Sequence, residues 1–344
     1  MFFDLVIIGG GPAGLACAAK AAGGGMNTLV LEKKEKTGPK VCAGGITWNG
    51  LMKKIPGFIP EKKFPIQYIR STLQQVKIIS PSPIIATLSR EKFGQYMAEQ
   101  ALKSGAVIRS SCRAVTIAPD HITVCCGKNK SLEKIGFQYL TGADGSSSLV
   151  RKYLNLPSTY KGIGINYQVA GELDAMEWFF DSSLFGNGYS WIFPHKNSFS
   201  IGTYAGSTLL SARQLKENLI RWASDKKHID LTKEKVRADY VNFDFRGWKF
   251  GNIFLAGDAA GLASGLTGEG IYPAIVSGEA IAQHILEPEK SMAEFLKLLR
   301  KHRLHRDMAL FTGRNRFTAR ILSELVLLGL RCSILKFHTI EMAS

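Results

Sequence analysis

Four short segments of this chain carry residue types and spacings that could do chemistry. Gly9-Gly10-Gly11-Pro12-Ala13-Gly14 fits the pattern G-x-G-x-x-G. Glycines so spaced permit a tight turn and let backbone come close to a pyrophosphate, and a helix beginning there offers unpaired N–H groups to its charge. Glu32, 18 residues past Gly14, is placed to accept hydrogen bonds from an adenosine ribose. Cys42 lies in the glycine-lined run Lys40-Val41-Cys42-Ala43-Gly44-Gly45-Ile46, where a thiol is either a small buried hydrophobe or a reactive group. Thr267-Gly268-Glu269-Gly270-Ile271 opens a helix whose N–H groups would stabilise negative charge.

The elements that must position these residues follow from periodicity. Residues 4–9 form a short apolar strand, Pro12 to Ala22 an alanine-rich helix that stops at Gly23-Gly24-Gly25, and residues 28–33 a second strand. This β-α-β opening points to an α/β fold with a parallel sheet. A helical pattern recurs from 91 to 104, and residues 106–140 alternate as a meander of three short strands packed onto the nucleotide domain. The stretch 163–205 is strand-like and aromatic, while 211–226 and 274–306 are helical by period. No repeat or low-complexity linker marks a boundary.

With 45% hydrophobic and 21% charged residues, the 344-residue chain has the composition of a folded protein. Its net charge of +16 would attract polyanions, but no helix-turn-helix, zinc-finger or RNP-type motif accompanies it, so nucleic acid is not expected as a partner. Six cysteines without a CxxC pair or a framework spacing point to a reducing compartment and to no metal. His302 and His305, on a basic helix without carboxylates, are expected at the surface. The apolar N-terminal run belongs to a strand and no segment reaches the roughly 18 apolar residues of a spanning helix, so the expectation is a cytoplasmic protein. Residues 320–337 are apolar but interrupted by Arg320, Arg331 and Lys336. They either pack against the substrate domain or lie on the inner face of an anionic membrane beside Arg300, Lys301, Arg303, Arg306, Arg314 and Arg316.

Two further motifs narrow the class. Gly142-Ala143-Asp144-Gly145, followed by Ser146 and Val150-Arg151, resembles the Asp-Gly motif of the para-hydroxybenzoate hydroxylase fold, and the run from Gly251 to Gly261 containing Gly257-Asp258 resembles its Gly-Asp motif. Arg90 and Phe93 resemble that fold's arginine-initiated helix, with Gly94 where an acid is usual. The resemblance implies a glutathione-reductase-like fold: a Rossmann-type FAD-binding domain (1–70, 88–155, 248–290) interleaved with a smaller mixed β-sheet substrate domain (71–87, 156–247), then a C-terminal helical region (291–344). It implies FAD contacts from Gly9, Gly11, Pro12, Ala13, Gly14, Glu32, Lys33, Gly44, Gly45, Arg90, Asp144, Gly257, Asp258, Gly268, Gly270 and Ile271.

Over most of its length the chain resembles the geranylgeranyl reductase family, through the Cys42 run and through Tyr189-Ser190-Trp191-Ile192-Phe193-Pro194, which matches YxWxFP in full. Ala43 stands where that family has glycine, and Gly265 where it commonly has proline. The resemblance implies an FAD-dependent reduction of carbon-carbon double bonds in an isoprenoid or similar apolar substrate, with NAD(P)H or ferredoxin as electron donor. Tyr189, Trp191, Phe193 and Pro194 would meet that substrate, Phe179 and Phe185 would add aromatic area, and Cys42 would act near the flavin ring. The rival readings are a flavin-dependent monooxygenase or halogenase on the same fold, and a non-catalytic prenyl-binding protein. The single glycine fingerprint excludes the pyridine nucleotide-disulfide reductases. Oligomeric state is not legible.

Overall fold

A computed structural model of the chain describes residues 1–127, 131–206 and 209–343. Lys128, Asn129, Lys130, Ser207, Thr208 and Ser344, which the domain division includes, lie outside the described residues. The first half contains β1 (Phe2–Ile8), α1 (Pro12–Gly23), β2 (Thr28–Leu31), β3 (Gly45–Thr47), α2 (Trp48–Lys54), β4 (Lys62–Phe64), β5 (Ile66–Ser71), β6 (Gln75–Ile79), β7 (Ile85–Thr87) and α3 (Arg90–Lys103). It continues with β8 (Val107–Arg109), β9 (Cys112–Ile117), β10 (His121–Cys126), β11 (Ser131–Gly142) and α4 (Leu149–Tyr153). Then come β12 (Lys161–Ala170), β13 (Glu177–Phe180), α5 (Ser182–Phe185), β14 (Tyr189–Pro194), β15 (Ser198–Ala205), α6 (Ala212–Lys227), β16 (Arg237–Asn242), β17 (Lys249–Phe250) and β18 (Ile253–Leu255). The helices α7 (Gly257–Ala260), α8 (Ile271–Leu286), α9 (Ala293–Thr312), α10 (Arg316–Arg331) and α11 (Phe337–Ile340) complete the chain.

The first sheet places β18, β11, β1, β2 and β8 side by side and parallel. Leu5, Val6 and Ile7 of β1 are fully buried, because the strand is covered on both faces, Leu5 and Ile7 by α1 and α3, and Val6 by β9, β10 and α4. Each site motif follows the carboxyl end of one of these strands: Glu32 after β2, Gly9 after β1, Asp144 after β11 and Asp258 after β18. In an open α/β sheet that edge is where ligands bind. Gly278 lets α8 lie against α1, since a Cβ there would stand 2.1 Å from the Ala13 carbonyl oxygen.

The second sheet has seven strands in the order β16-β12-β15-β14-β13-β5-β6. Leu215, Leu219 and Trp222 of α6 pack on one of its faces, with Phe179 and Phe185. Tyr189, Trp191, Phe193 and Tyr204 pack with Trp178 and Phe180 on the other. The split follows the two-residue period of strands, with Trp178 opposite Trp191 and Phe179 opposite Ser190.

Several expectations change. Ile66–Ser71, divided mostly into the FAD-binding segment, pairs in parallel with β13 in the second sheet, so the boundary falls before residue 66. The meander consists of β9, β10 and the antiparallel half of β11, which pack against Val6, Leu29 and Leu31, whereas β8 leaves it and joins the parallel sheet beside β2. The helical stretch 274–306 breaks between α8 and α9 around Pro288. Cys112 and Cys126, opposite one another across β9 and β10, form a disulfide. That bond removes the ground on which the cysteines pointed to a reducing compartment.

Candidate active site

A single cavity of about 1360 Å³ runs from the glycine turn to the inner face of α10. It exceeds the roughly 300–1,000 Å³ of an ordinary small-molecule site. At its polar end, α1 begins at Gly11 with no side-chain cap and with Pro12 in its first turn, so its N–H groups are free to face an anion. Glu32 braces this turn: Oε2 accepts from Gly10 N–H at 2.8 Å and Oε1 from Lys34 N–H at 2.9 Å.

Buried polar atoms without partners test whether a flavin dinucleotide fits. Nε and Nη1 of Arg90 and Oδ1 of Asp144 are buried without protein partners, and both side chains line the cavity. A guanidinium with unused N–H groups suits a phosphate, and a carboxylate oxygen suits a sugar or ribityl hydroxyl. Burial raises the Asp144 carboxyl, while its other oxygen accepts from Leu149 N–H at 2.6 Å. Asp258 accepts from Lys40 Nζ at 2.9 Å and from Ser146 Oγ at 3.2 Å. Its charge is the first cause holding the Lys40 ammonium above its ordinary range. These donors and acceptors fit FAD, and Lys40 and Ser146 are residues that the motif matching did not single out for it.

Gly9, Gly11, Pro12, Ala13, Glu32, Lys33, Gly45, Arg90, Asp144, Gly257, Asp258, Gly268, Gly270 and Ile271 all line the cavity. Gly14 and Gly44 do not. A Cβ on Gly14 would lie 2.0 Å from the Gly9 carbonyl oxygen, so its part is to close the turn on the helix. Gly44 has φ +79°, and a Cβ there would lie 2.4 Å from Cε1 of His195. Gly94 replaces an acid because a Cβ at that point would stand 2.2 Å from Cα of Gly38.

The apolar end is built from Tyr189, Trp191 and Phe193 together with Trp178 and Phe180. Trp178 lies 4.7 Å from Phe193 and 5.2 Å from Tyr189, ring centre to centre. Phe179 and Phe185 point away, and Pro194 ends β14 outside the lining, its carbonyl accepting from Thr87 Oγ1 at 2.7 Å. Beyond the aromatic residues, Ala319, Leu322, Val326, Leu327 and Leu330 of α10 continue the apolar wall.

Cys42 lines the cavity between the two ends, half-buried, its Sγ accepting from Gly44 N–H at 3.3 Å. Glu269 sits at the start of α8 and accepts from Met342 N–H at 3.0 Å. Burial pushes its carboxyl up to about 6, and burial followed by the Glu269 charge pushes Glu341 up to about 7. His302 and His305, expected at the surface, are buried: His305 Nδ1 lies 2.8 Å from Ser264 Oγ and His302 packs on Phe245. Burial drives both imidazoles down to about 4, and they brace the 261–265 segment before the TGEGI turn.

Four parallel-strand ends, a glycine turn on a helix N-terminus and buried carboxylates matched to sugar hydroxyls define an FAD-binding protein of the Rossmann type. The comparisons agree. Models described as FAD binding domain match residues 4–75 and 67–296, the second covering two thirds of the chain. The chain belongs to this FAD-binding-domain family. It is 26% identical over 322 residues to a digeranylgeranylglycerophospholipid reductase of Methanocaldococcus jannaschii, with 82% of this chain and 78% of that protein aligned. It is 26% identical over 312 residues to a geranylgeranyl diphosphate reductase of Rhodobacter capsulatus, covering 82% and 75%. A geranylgeranyl bacteriochlorophyll reductase-like protein of Thermoplasma acidophilum superposes with a TM-score of 0.80 at 23% identity, over 95% of this chain and 91% of that one, which establishes the shared fold.

Proposed function

We propose that the chain is an FAD-dependent oxidoreductase that reduces carbon-carbon double bonds of an isoprenoid. The observation that carries this reading is the continuity of the cavity: one space joins a nucleotide end to an aromatic and aliphatic slot with Cys42 between them. The names of the aligned relatives, reductases of geranylgeranyl compounds, support it. When bound and reduced, FAD would supply hydride chemistry toward one alkene carbon, with NAD(P)H or ferredoxin as the source of the electrons. The chain's part is to hold and to exclude water. Arg90, Asp144, Asp258 and the start of α1 fix the cofactor, while Trp178, Tyr189, Trp191 and Phe193 align the apolar chain in a dry slot. Cys42 holds a proton at Sγ on the cavity wall, gives it to the second alkene carbon, and regains one from water.

Cys42→Ser is therefore expected to leave the flavin spectrum unchanged and to slow oxidation of the reduced enzyme by substrate by about a hundredfold or more, the low end of the roughly 10²–10⁴-fold that a general acid contributes. Anaerobic stopped-flow absorbance reads this directly. A rate equal to that of the wild type would reduce Cys42 to packing.

The substrate's lipid character bears on α10, which has two apolar faces. One lines the cavity, and the other exposes Phe317, Ile321, Leu325 and Leu328 at helical spacing. Exposed Arg314, Arg316, Arg320 and Arg331 flank that outer face. Among the described residues no helix is long and apolar enough to cross a membrane. The outer face of α10 instead rests in the headgroup layer of an anionic membrane, each basic residue contributing about 1 kcal/mol. Liposomes containing anionic lipid should sediment the protein at low salt and release it at high salt, and Leu325→Glu should weaken binding. Sedimentation independent of lipid charge would remove the electrostatic contact.

A further inference from the structure

Three successive carbonyls of the Cys42 loop are each held by a different element. Asn166 Nδ2 of β12 donates to the Cys42 oxygen at 3.4 Å, His195 Nε2 to the Ala43 oxygen at 3.0 Å, and Leu88 N–H to the Gly44 oxygen at 2.9 Å. The first of these donors is braced in turn, since Ser200 Oγ donates to Asn166 at 2.5 Å and Trp191 Nε1 donates to Ser200 at 2.9 Å. The second ends on a carboxylate: His195 Nδ1 lies 2.6 Å from Glu61 Oε2. His195 is 6% exposed. Its ring fills the space that a side chain at Gly44 would need, which is why glycine stands there although it does not face the cavity.

The proton count follows from the partners. A backbone carbonyl only accepts, so Nε2 must carry a proton. The 2.6 Å contact at the other nitrogen closes a hydrogen bond between Nδ1 and Glu61. The titratable groups on the elements packed against the ring are Cys42 on the loop, Glu61 and Lys62 on the turn into β4, and Lys196 on the ring's own hairpin. Lys62 is turned to the Leu173 carbonyl and Asp174, and Lys196 is exposed, so Glu61 is the group that meets the imidazole.

We propose that the Glu61–His195 pair is a hydrogen-bonded clamp that positions the Cys42–Gly45 loop and so keeps Cys42 in its place in the cavity wall. His195 is then a positioning residue acting through Ala43. The clamp rests on Cys42 facing the cofactor cavity and not on the identity of the substrate.

The test uses the FAD-loaded protein without substrate. Iodoacetamide modifies it at one fixed pH, and peptide mass spectrometry follows Cys42 relative to exposed Cys332 as an internal reference. In the wild type the ratio should be low. His195→Leu should raise it about tenfold, the worth of one charge-assisted hydrogen bond. His195→Gln, whose amide still donates to Ala43, should restore the low ratio. Glu61→Gln, which takes away the carboxylate that holds Nδ1, should raise the ratio above that of the wild type but less than His195→Leu does. A Glu61→Gln ratio equal to that of the wild type, a His195→Gln ratio as high as that of His195→Leu, or a His195→Leu protein that is folded by its flavin spectrum and protected as before would overturn the clamp. Should His195→Leu fail to fold, the Glu61→Gln comparison decides alone. A chain that reduces no isoprenoid would leave all of these outcomes unaltered.

Discussion

Alanine at Gly14 is expected to yield a protein that cannot hold FAD. The added Cβ would lie 2.0 Å from the Gly9 carbonyl oxygen and 3.1 Å from Cγ2 of Ile7, and the first of these is backbone that cannot turn aside. Relief requires parting α1 from the end of β1, which are the two elements that present the pyrophosphate turn. The expected loss exceeds about 3 kcal/mol, a hundredfold or more in affinity. Gly23→Ala at the far end of the same helix is the control, since its nearest neighbour would be 3.9 Å away and alanine favours helix by about 0.5–1 kcal/mol. Flavin absorbance after gel filtration and a fluorescence titration of the apoprotein measure both variants. Stoichiometric FAD in the Gly14 variant would mean that the turn is not built as described.

Arg151→Met is expected to cost stability on the same scale. Arg151 is 1% exposed and donates to the carbonyls of Pro157, Ala259 and Asp244, joining the Asp-Gly segment to α7, which carries Asp258. Its guanidinium lies 3.8 Å from the buried Asp244 carboxylate. Methionine fills the volume but leaves three carbonyls without that donor and the carboxylate with Arg246, at 2.7 Å, and the Thr159 N–H, at 2.8 Å. Removing one partner of a buried charged network costs about 3–5 kcal/mol. Chemical denaturation should show that loss together with weaker FAD binding, and Arg151→Lys should recover part of it. A midpoint that barely moves would show that the guanidinium is not what ties the two motifs together.

The parts of the site legible in the sequence are those whose geometry is local. A strand, a glycine turn, a helix and an acid at the end of the next strand lie within the first 32 residues, and each constrains its neighbour. The aspartates after β11 and β18 were legible through the resemblance of their short motifs to the para-hydroxybenzoate hydroxylase fold, since a strand-end turn with an aspartate is common by itself. What the sequence concealed depends on register between distant segments. Trp178 and Phe180 face the cavity and Phe179 does not because of how β13 pairs with β14. The resemblance of the YxWxFP run pointed to Tyr189, Trp191 and Phe193 but not to the neighbouring strand β13. The Cys112–Cys126 bond needed the pairing of β9 with β10, and the transfer of Ile66–Ser71 to the second sheet needed its parallel partner about a hundred residues later. His302 and His305 were masked by the basic residues around them, for α9 turns these two inward against the 261–265 segment. His195 follows the YxWxFP run directly, but only its contact with Ala43, 152 positions away, gives it a part.

The central claim is that this cavity reduces an alkene with electrons held on FAD. The measurement that meets it most directly is a single anaerobic turnover: protein photoreduced to the two-electron level, mixed with a geranylgeranyl compound without oxygen, and followed by flavin absorbance and product mass. The account predicts that oxidised flavin returns in step with a substrate gaining two mass units. Flavin that stays reduced until oxygen is admitted, and then yields an oxygenated or halogenated product, would contradict it.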